Sequence, residues 1–449
     1  MSDLRSFLIQ LARINELKEI NEEMSIKYEI PRLIKDSEEI HALMFKNIKG
    51  FKNKIVAGLC ATRKRIALAI NSSESELNEG MLKAMKNPIP PKYVSECPVK
   101  EVEEKPKLSL LPILTHYEKD PAPYITSAIV ASKALGEKVE NVSIHRLMLL
   151  DDSHLAIRIV PRHLYKICQM ARDKGEKTVD VGIAIGLHPA ILVAAASPAP
   201  FGVSEYSIAN SFMEGELELT KCEDVNVGVP AMAEIALEGR ILLDKEVMEG
   251  PFVDLTGTYD SIRKQPVIEI TKMFYRKDFI YQAVLPGGDE HRLLMGLPFE
   301  ARIMEAVRSV VPNVKSAILT TGGCGWLHAI VSIEKQTEGD GKNAILAAFS
   351  AHPSLKHVIV VDSDIDVNSL DDVEWAIATR FQACEDLVII ENARGSTLDS
   401  SADQETGLTT KMGLDATRSF KKPKEKFEKA KIPSNKRIED LAKKLLNLK

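Results

Sequence analysis

Cysteine is scarce in this chain. The 449 residues include six cysteines, which lie far apart, form no C-x-x-C pair and have no histidine at a zinc-ligand spacing. This pattern gives no basis for a structural zinc site or a disulfide framework. The sequence therefore predicts reduced, mostly buried thiols. They are Cys60, Cys97, Cys168, Cys222, Cys324 and Cys384.

Long hydrophobic runs are also missing. No stretch approaches the roughly eighteen uninterrupted apolar residues that a membrane-spanning helix needs. The segment from Met1 to Arg5 does not open the apolar core of a signal peptide. The sequence therefore predicts no membrane span and a cytoplasmic location.

An excess of positive charge is absent as well. The formal net charge is −5, which argues against nucleic acid as a partner because such binding needs a strongly basic face. Aromatic residues make up 5% of the chain, so few rings are available to stack on an arene. The hydrophobic share of 45% and the charged share of 27% are typical of a soluble globular protein. The length indicates about two to four domains.

Residues 1–105 are predicted to form an N-terminal α/β domain. An amphipathic helix starts near Leu4, short strands are predicted at 54–59 and 65–70, and a further helix at 76–86. Prolines and charges then favour a connector with a boundary near residue 105.

The next two domains differ in pattern. Residues 106–290 contain short apolar runs separated by Gly, Pro and Asp, which indicates a β-rich barrel or sandwich with one helix at 164–174. Residues 291–420 alternate between strand and helix patterns, which indicates a C-terminal α/β domain with a largely parallel sheet. Its Gly-rich segment at 321–326 lacks the Lys-Ser/Thr of a phosphate loop and is predicted to be a tight turn between strands.

Residues 421–449 are predicted to be a charged linker followed by a last helix. The helix carries an apolar stripe, which we expect to pack against the body of the protein or against a partner subunit. The stripe consists of Ile438, Leu441, Leu445 and Leu448.

The most suggestive local motif is the stretch Glu249-Gly250-Pro251-Phe252-Val253-Asp254. Gly250 can adopt φ values closed to other residues and Pro251 fixes its own φ, so a turn here would be stiff. Two carboxylates held close together can take different protonation states, as general acid/base chemistry requires. Spacing alone favours a solvated acidic surface turn.

Segments spread over nearly the whole chain resemble the UbiD family of prenylated-flavin-dependent decarboxylases. The similar stretches lie at residues 3–8, 120–126, 141–146, 198–205, 234–239, 249–254, 362–380 and 411–417. Their common order makes the resemblance more specific than any single motif. It implies a central split β-barrel of flavin-reductase-like type between the two α/β domains.

The resemblance also implies a site. Arg146, Glu249 and Asp254 match the family's catalytic network. By charge, Arg146 would hold the substrate carboxylate, Glu249 would orient Arg146, and Asp254 would donate the proton after CO2 leaves. Prenylated FMN would carry the electrons of the reaction.

The implied metal is Mn²⁺ or another divalent ion, with K⁺ as an optional second ion, next to the flavin phosphate. Its ligands would be Asn141, His163 and Glu205, although without the resemblance Asn141 would be a buried turn residue and Glu205 a helix cap. The full set of positions matched to cofactor binding is Asn141, Ser143, Ile144, His145, Arg146, Arg158, Arg162, His163, Glu205 and Lys411.

Substrate choice is less visible in the sequence. Arg158, Arg162 and Lys166 surround His163 and favour an anionic substrate, although they could equally contact the flavin phosphate or lie on the surface. Short archaeal members of the family, which this chain resembles, decarboxylate trans-anhydromevalonate 5-phosphate in isoprenoid synthesis, and this is the expected substrate.

Two alternatives stay open at this stage. One is a 4-hydroxybenzoate-type aromatic acid decarboxylase, and the other is a non-catalytic flavin-binding or assembly subunit. The second would not need Arg146, Glu249 and Asp254 together. The implied partners are an unsaturated acid, a flavin prenyltransferase that supplies the cofactor, and further copies of the chain in a homodimer or homohexamer.

Overall fold

The computed structural model describes residues 3–136, 139–430 and 432–446 of the chain. The first helix begins at Leu4 because the Asp3 carboxylate accepts the N–H of Ser6 at 2.9 Å. The N-terminal elements are α1 (Leu4–Arg13), β1 (Leu17–Met24), α2 (Glu29–Ser37), β2 (Ala42–Ile48), β3 (Lys54–Ala57), α3 (Arg63–Ala69) and α4 (Leu77–Lys86).

The strand predicted at 65–70 is wrong, because this segment belongs to helix α3. The Thr62 hydroxyl accepts the N–H of Arg65 at 3.2 Å and caps the helix. Arg65 is fully buried, and its Nε donates to Glu16 Oε2 at 3.0 Å. Six residues are too few for apolar periodicity to separate a buried strand from a buried helix.

The middle of the chain is rich in strands, as predicted. Its elements are β4 (Lys92–Tyr93), β5 (Val102–Glu104), β6 (Tyr124–Ile125), β7 (Ile129–Lys133), β8 (Glu140–Ile144), β9 (Leu147–Leu149), β10 (His154–Ile157), α5 (His163–Asp173), β11 (Thr178–Ile185), α6 (Pro189–Ala195), α7 (Glu205–Phe212), β12 (Glu218–Lys221), β13 (Gly228–Pro230), β14 (Ile235–Glu249), β15 (Phe252–Val253), β16 (Tyr259–Asp260), β17 (Arg263–Tyr275) and β18 (Ile280–Ala283).

Nine of these strands form one curled, open sheet. Eight follow the order β6-β9-β10-β17-β14-β11-β7-β8, and β5 pairs with β17. The long pair β14 and β17 is antiparallel and shifts register at Glu238/Gly239 and at Leu242/Glu246. A Cβ at Gly239 would lie 2.4 Å from Glu269 O, so only glycine fits at this first irregularity. Such bulges increase twist and help the sheet to curl.

A separate four-stranded sheet has the order β1-β2-β3-β18. Strand β18 pairs in parallel with β3, so this N-terminal sheet includes residues that follow the nine-stranded sheet in sequence. Helix α8 (Asp289–Arg308) leaves this sheet directly and runs towards the C-terminal part of the chain.

The C-terminal segment contains a second α/β unit. Its remaining elements are β19 (Val314–Leu319), β20 (His328–Ile333), α9 (Asp340–Ala351), β21 (His357–Asp362), α10 (Leu370–Arg380), α11 (Ala383–Asp386), β22 (Leu387–Arg394), β23 (Leu408–Ala416) and α12 (Lys436–Leu446).

The predicted largely parallel sheet is corrected to a mixed one. The order is β19-β20-β21-β23-β22, in which the two inner pairs are parallel and the two outer pairs are antiparallel. The Gly-rich segment at 321–326 is the tight turn of the β19–β20 hairpin, which makes that edge antiparallel. Strand β21 is the buried centre, as its apolar sequence predicts.

The last helix does not bury its apolar stripe against this chain. Ile438, Leu441 and Leu445 are 51%, 47% and 68% exposed, so the stripe is not buried within the chain, and packing against a partner subunit stays a prediction. Leu448 lies outside the described residues. Among the described helices, none is both long enough and apolar enough to cross a membrane.

Candidate active site

Arg146 lies in the short break between β8 and β9. Its Nε and Nη2 donate to the two carboxylate oxygens of Glu249, each at 2.9 Å. Burial disfavours the charge, but the bonds to Glu249 and the nearby Asp254 and Asp260 outweigh it and raise the pKa of Arg146. The guanidinium carbon lies 4.7 Å from the ring centre of Phe252. Arg146 is therefore a fixed cation in a largely buried position.

The acidic turn places two carboxylates on opposite sides of this guanidinium. Glu249 ends β14 and is fully buried, and Gly250 turns the chain with φ of 92°. Asp254 follows β15, and its Oδ2 lies 3.7 Å from Arg146 Nη1. That distance is too long for a hydrogen bond, and no hydrogen-bond acceptor for Arg146 Nη1 is found among the described residues, so these donors could serve a ligand between Arg146 and Asp254.

Two further groups hold Glu249 and Arg146. The Tyr124 hydroxyl donates to Glu249 Oε1 at 3.2 Å, and burial followed by the Glu249 charge raises the pKa of Tyr124. Asp260 accepts from Arg146 Nη2 at 3.3 Å and also pairs with Arg158 at 3.7 Å. Burial would raise the pKa of Asp260, but the bond from Arg263 and the other arginine charges outweigh it, so the pKa is lowered.

Sequence reasoning missed Asp260. It lies in β16, which pairs with β15 so that Asp260 is directly opposite Phe252. The sequence signal for this hairpin was Gly257, a glycine between two short strands. In the structure Gly257 has a φ of 73°, which favours glycine. Because the hairpin folds back on the acidic turn, it brings a third carboxylate to Arg146.

His291 is a second residue that the sequence did not reveal. It lies in the first turn of α8, and its Nδ1 accepts the N–H of Gly287 at 3.1 Å. Burial lowers the pKa of His291, while the neighbouring Asp254 raises it and Arg146 lowers it. With Nδ1 used as an acceptor, the neutral ring carries its proton on Nε2. His291 is therefore a neutral donor, and it is near enough to the acidic turn for the Asp254 charge to act on it.

A second cluster forms where β8, α5 and α7 meet. Glu205 begins α7, and its Oε2 accepts the N–H of Val142 at 2.7 Å, beside Asn141. Its Oε1 lies 3.9 Å from His163 Nδ1, at the start of α5. Burial raises the pKa of Glu205, and His163 and the Val142 amide oppose the shift. The structure thus brings Asn141, His163 and Glu205 together from three separate elements.

A relay of hydrogen bonds fixes the orientation of Asn141. Alternate residues of a strand share a face, so Asn141 and Ser143 line the same side of β8, and His145 follows directly after its last residue. Asn141 Nδ2 lies 2.8 Å from Ser143 Oγ, Ser143 Oγ lies 2.9 Å from His145 Nε2, and His145 Nδ1 lies 2.9 Å from Arg158 O. A carbonyl only accepts, so His145 donates from Nδ1 and accepts from Ser143. Asn141 then donates to Ser143 and keeps its Oδ1 free for a cation.

The chemistry of this donor set suits a hard divalent ion. An amide oxygen, an imidazole nitrogen and a carboxylate are the ligand types that Mn²⁺ and Mg²⁺ accept. In the described part of the chain no three His, Cys, Asp or Glu side chains come together to hold a metal, so any ion here depends on Asn141. The buried Glu205 carboxylate needs a positive partner, and a cation would supply it.

Two of the remaining residues predicted to bind the cofactor, Ile144 and Arg162, differ in how far they are exposed to solvent. Ile144 is half-buried at the end of β8. Arg162 is solvent-accessible, with its guanidinium carbon 5.9 Å from the Phe299 ring and 6.0 Å from the Trp326 ring. No ion pair joins Arg162 to any described acidic residue, and desolvation followed by the charges of Arg302 and Arg394 lowers its pKa. Arg162 therefore offers an unneutralised positive charge directly beside His163 in the cluster of Asn141, His163 and Glu205.

Within residues 3–136, 139–430 and 432–446, no contact joins Lys411 to the other residues predicted to bind the cofactor. Its Nζ donates to Pro353 O at 2.5 Å and to Leu355 O at 2.8 Å. Burial lowers the pKa of Lys411 to about 8. These contacts tie β23 to the loop after α9, and a role of Lys411 in cofactor binding stays a prediction.

Three sequence profiles of one family match the chain in order. They are described as the N-terminal domain, the Rift-related domain and the C-terminal domain of 3-octaprenyl-4-hydroxybenzoate carboxy-lyase (UbiD), and they match residues 8–85, 92–289 and 292–416. The three profiles together account for most of the sequence.

Individual relatives are similar over nearly their whole length. The anhydromevalonate phosphate decarboxylase of Methanothermobacter thermautotrophicus is 47% identical over 92% of this chain and 96% of that protein. The solved structure of the UbiD-class enzyme HmfF from Pelotomaculum thermopropionicum with FMN has a TM-score of 0.93 and 40% identity, covering 96% of this chain and 97% of that one. An evolved dimeric form of HmfF with prFMN has a TM-score of 0.89 and 38% identity, with the same coverage. The chain therefore belongs to the UbiD family and is a carboxy-lyase.

Proposed function

We propose that this protein uses prenylated FMN to decarboxylate trans-anhydromevalonate 5-phosphate in isoprenoid synthesis from mevalonate. The observation that carries the proposal is the Arg146 guanidinium, which is locked by Glu249 and has free donors facing Asp254. The near full-length similarity to an archaeal anhydromevalonate phosphate decarboxylase supports the choice of acid. Because the site keeps all three residues, a silent assembly subunit is not the favoured alternative.

The residues of the chain have distinct tasks in this reaction. Prenylated FMN, when bound, supplies the electron sink for the pair left by the departing CO2. The Arg146 Nη1 donors orient the substrate carboxylate, and Glu249 keeps the guanidinium plane fixed. The bond between the alkene carbon and the carboxyl carbon breaks and CO2 leaves. The same carbon then takes the proton of Asp254 to form the new C–H bond, and the Asp254 carboxylate regains a proton from solvent before the next turnover.

Cofactor binding follows from the second cluster. Asn141, His163 and Glu205 would hold a divalent cation such as Mn²⁺, with K⁺ as an optional second ion, and the cation would offset the flavin phosphate charge. Arg162 would add positive charge on the same side. The curled nine-stranded sheet would act as the split barrel of flavin-reductase-like type that carries the cofactor, and the domains would span residues 1–105, 106–290, 291–420 and 421–449.

The proposal extends to partners. A flavin prenyltransferase would supply the mature cofactor in the cytoplasm, and the chain would assemble as a homodimer or homohexamer. The dimeric form described for HmfF supports assembly, and the exposed stripe of α12 offers apolar surface for it.

Substrate choice can be tested on one preparation of holoenzyme, co-expressed with a flavin prenyltransferase. Initial rates of CO2 release are measured with trans-anhydromevalonate 5-phosphate, with its dephosphorylated acid and with 4-hydroxybenzoate. We expect kcat/KM to favour the phosphorylated acid by on the order of a hundredfold or more, because a site that binds a charged group of its substrate rejects an analogue that lacks this group. Faster turnover of 4-hydroxybenzoate would overturn the proposed substrate. No CO2 from any acid with mature cofactor bound would overturn the function.

Removing the charge of Glu205 should remove the metal. Glu205→Gln keeps the shape but loses the carboxylate, so we expect Mn²⁺ affinity to fall by at least about 10- to 100-fold and flavin to be lost on purification. The matched control is Glu238→Gln, a carboxylate in β14 that is 1% exposed, accepts backbone N–H groups and lies three strands from β8, the strand that carries Asn141. Metal analysis and flavin absorbance give the result, and full occupancy in Glu205→Gln contradicts the assignment.

The relay predicts a smaller effect from Ser143. Ser143→Ala frees the Asn141 amide to rotate, so we expect divalent-metal affinity to fall by about tenfold, as for other partners that orient a metal ligand. Ser132→Ala is the control, because Ser132 is buried directly opposite Asn141 and its hydroxyl has no partner among the described residues. Titration calorimetry with Mn²⁺ measures both. Equal affinities would show that the relay does not position Asn141.

A further inference from the structure

Two buried carboxyl groups join the N-terminal segment to the first turn of α8. Glu290 is fully buried, and its two oxygens accept the N–H groups of Gly58 and Cys60, each at 2.8 Å. Glu38 is 1% exposed, and its Oε1 accepts the N–H of Glu290 at 3.3 Å. Three separate segments therefore meet at the point where α8 begins.

Arg65 closes this arrangement from the other side. It is fully buried, and its Nη1 donates to Glu38 O at 2.9 Å and to Gly58 O at 2.8 Å. We call Glu38, Arg65 and Glu290 the α8 latch. Burial raises the pKa of Glu290 to about 7 and also raises that of Glu38. Carboxyl groups are costly in such a place, so their presence calls for a reason beyond filling space.

The latch lies next to the proton donor. His291 follows Glu290 in the chain, lies within range of the Asp254 charge, and accepts the N–H of Gly287. The segment Pro286-Gly287-Gly288 directly precedes α8, and we call it the strap. A Cβ at Gly287 would lie 2.9 Å from Asp254 O, so the strap packs directly on the acidic turn. Any shift of the first turn of α8 would therefore move both His291 and the surroundings of Asp254.

We propose that Glu290, with Glu38, is a positioning residue for decarboxylation that holds His291 and the Gly287 strap against Asp254. This inference rests on the proposed function. It gives the N-terminal segment a task in the reaction, although none of its described residues pairs with Arg146. A misplacement of about 1 Å at a reacting group can cost up to a hundredfold in rate, so the latch need not touch the substrate to matter.

A matched residue on the same helix separates positioning from stability. Glu300 is also buried in α8, accepts a backbone N–H from Leu319 at 2.8 Å and pairs with Arg63 of the N-terminal segment at 2.7 Å. It lies ten residues, or about 15 Å, further along the helix. Both carboxyl groups tie α8 to the N-terminal segment, but only Glu290 is beside His291.

The experiment measures kcat, KM and the pH dependence of kcat for holoenzyme carrying Glu290→Gln or Glu300→Gln, with trans-anhydromevalonate 5-phosphate. Glutamine offers one acceptor oxygen in place of two, so Glu290→Gln should release one of the two loop N–H groups. We expect kcat to fall on the order of tenfold, KM to change less than about threefold and the pH dependence of kcat to shift. Glu300→Gln should lower the melting temperature but keep kcat within about twofold and leave the pH dependence unchanged.

A second variant covers the case in which Glu290→Gln does not fold. A Cβ at Gly288 would lie 2.3 Å from Glu38 Oε1, so Gly288→Ala strains the latch without altering either carboxyl group, and we expect the same fall in kcat. Wild-type kcat and pH dependence in Gly288→Ala or Glu290→Gln, or an equal fall in Glu300→Gln, would overturn the inference. A wild-type holoenzyme that releases no CO2 would instead overturn the proposed function.

Discussion

Asp254→Asn is expected to lower kcat by about 10² to 10⁴, the usual range for loss of a general acid, while KM stays close to the wild-type value. The amide keeps the shape of the carboxyl group, including the Oδ1 that accepts the N–H of Leu255 at 2.7 Å. It cannot donate a proton to the alkene carbon, so the step after loss of CO2 should become limiting. Steady-state rates with the phosphorylated acid measure the effect.

A nearby carboxylate serves as the control for Asp254. Asp260→Asn removes a charge from the same arginine, at 3.3 Å from Arg146 Nη2, but it does not face the free Nη1 donors. We expect its effect on kcat to be at most about tenfold, since Glu249 still holds the guanidinium. If Asp254→Asn turns over like wild type while Asp260→Asn does not, the donor is another residue.

Arg146→Ala should be the most destabilising change at the site. It leaves Glu249 fully buried with only the Tyr124 hydroxyl and no positive partner, and breaking a buried ion pair in this way costs about 3–5 kcal/mol of unfolding free energy. It also removes the group proposed to bind the substrate carboxylate, so KM should rise. Urea denaturation and steady-state kinetics measure the two effects separately.

Arg158→Ala is the matched control for this prediction. Arg158 is also an arginine at Asp260, but its single pairing distance is 3.7 Å, and we expect a loss below about 1 kcal/mol. Equal unfolding free energies for the two variants would show that the Arg146–Glu249 pair contributes no special stability. An unchanged KM in Arg146→Ala would place the carboxylate elsewhere.

Much of the fold was predictable because its strongest signals are local. Helix α5 carries clear apolar periodicity, and it was predicted at 164–174, within one residue of its observed bounds. Residues 65–70 failed because a short run of Ile, Leu and Ala around a buried arginine fits either structure. The antiparallel edges of the C-terminal sheet failed because strand direction depends on pairing between distant segments.

The site shows the same division between local and long-range information. The turn at Glu249 to Asp254 was visible as a stiff acidic motif, and family resemblance linked it to Arg146. Asp260 and His291 were missed because a later segment of the chain folds back to the site in each case. The β15–β16 hairpin brings Asp260, and the segment before α8 brings His291. The relay from Asn141 to Arg158 O depends on rotamers and tautomers, which no sequence pattern encodes.

The most direct test of the central claim follows the proton. Wild-type holoenzyme decarboxylates trans-anhydromevalonate 5-phosphate in D2O, and the deuterium in the alkenyl phosphate product is measured by mass spectrometry, together with its exchange into added product. We predict one deuterium per product at the carbon that lost CO2 and exchange that Asp254→Asn slows by about 10² to 10⁴. Exchange at the wild-type rate in Asp254→Asn, with Arg146 and Glu249 intact, would contradict the account.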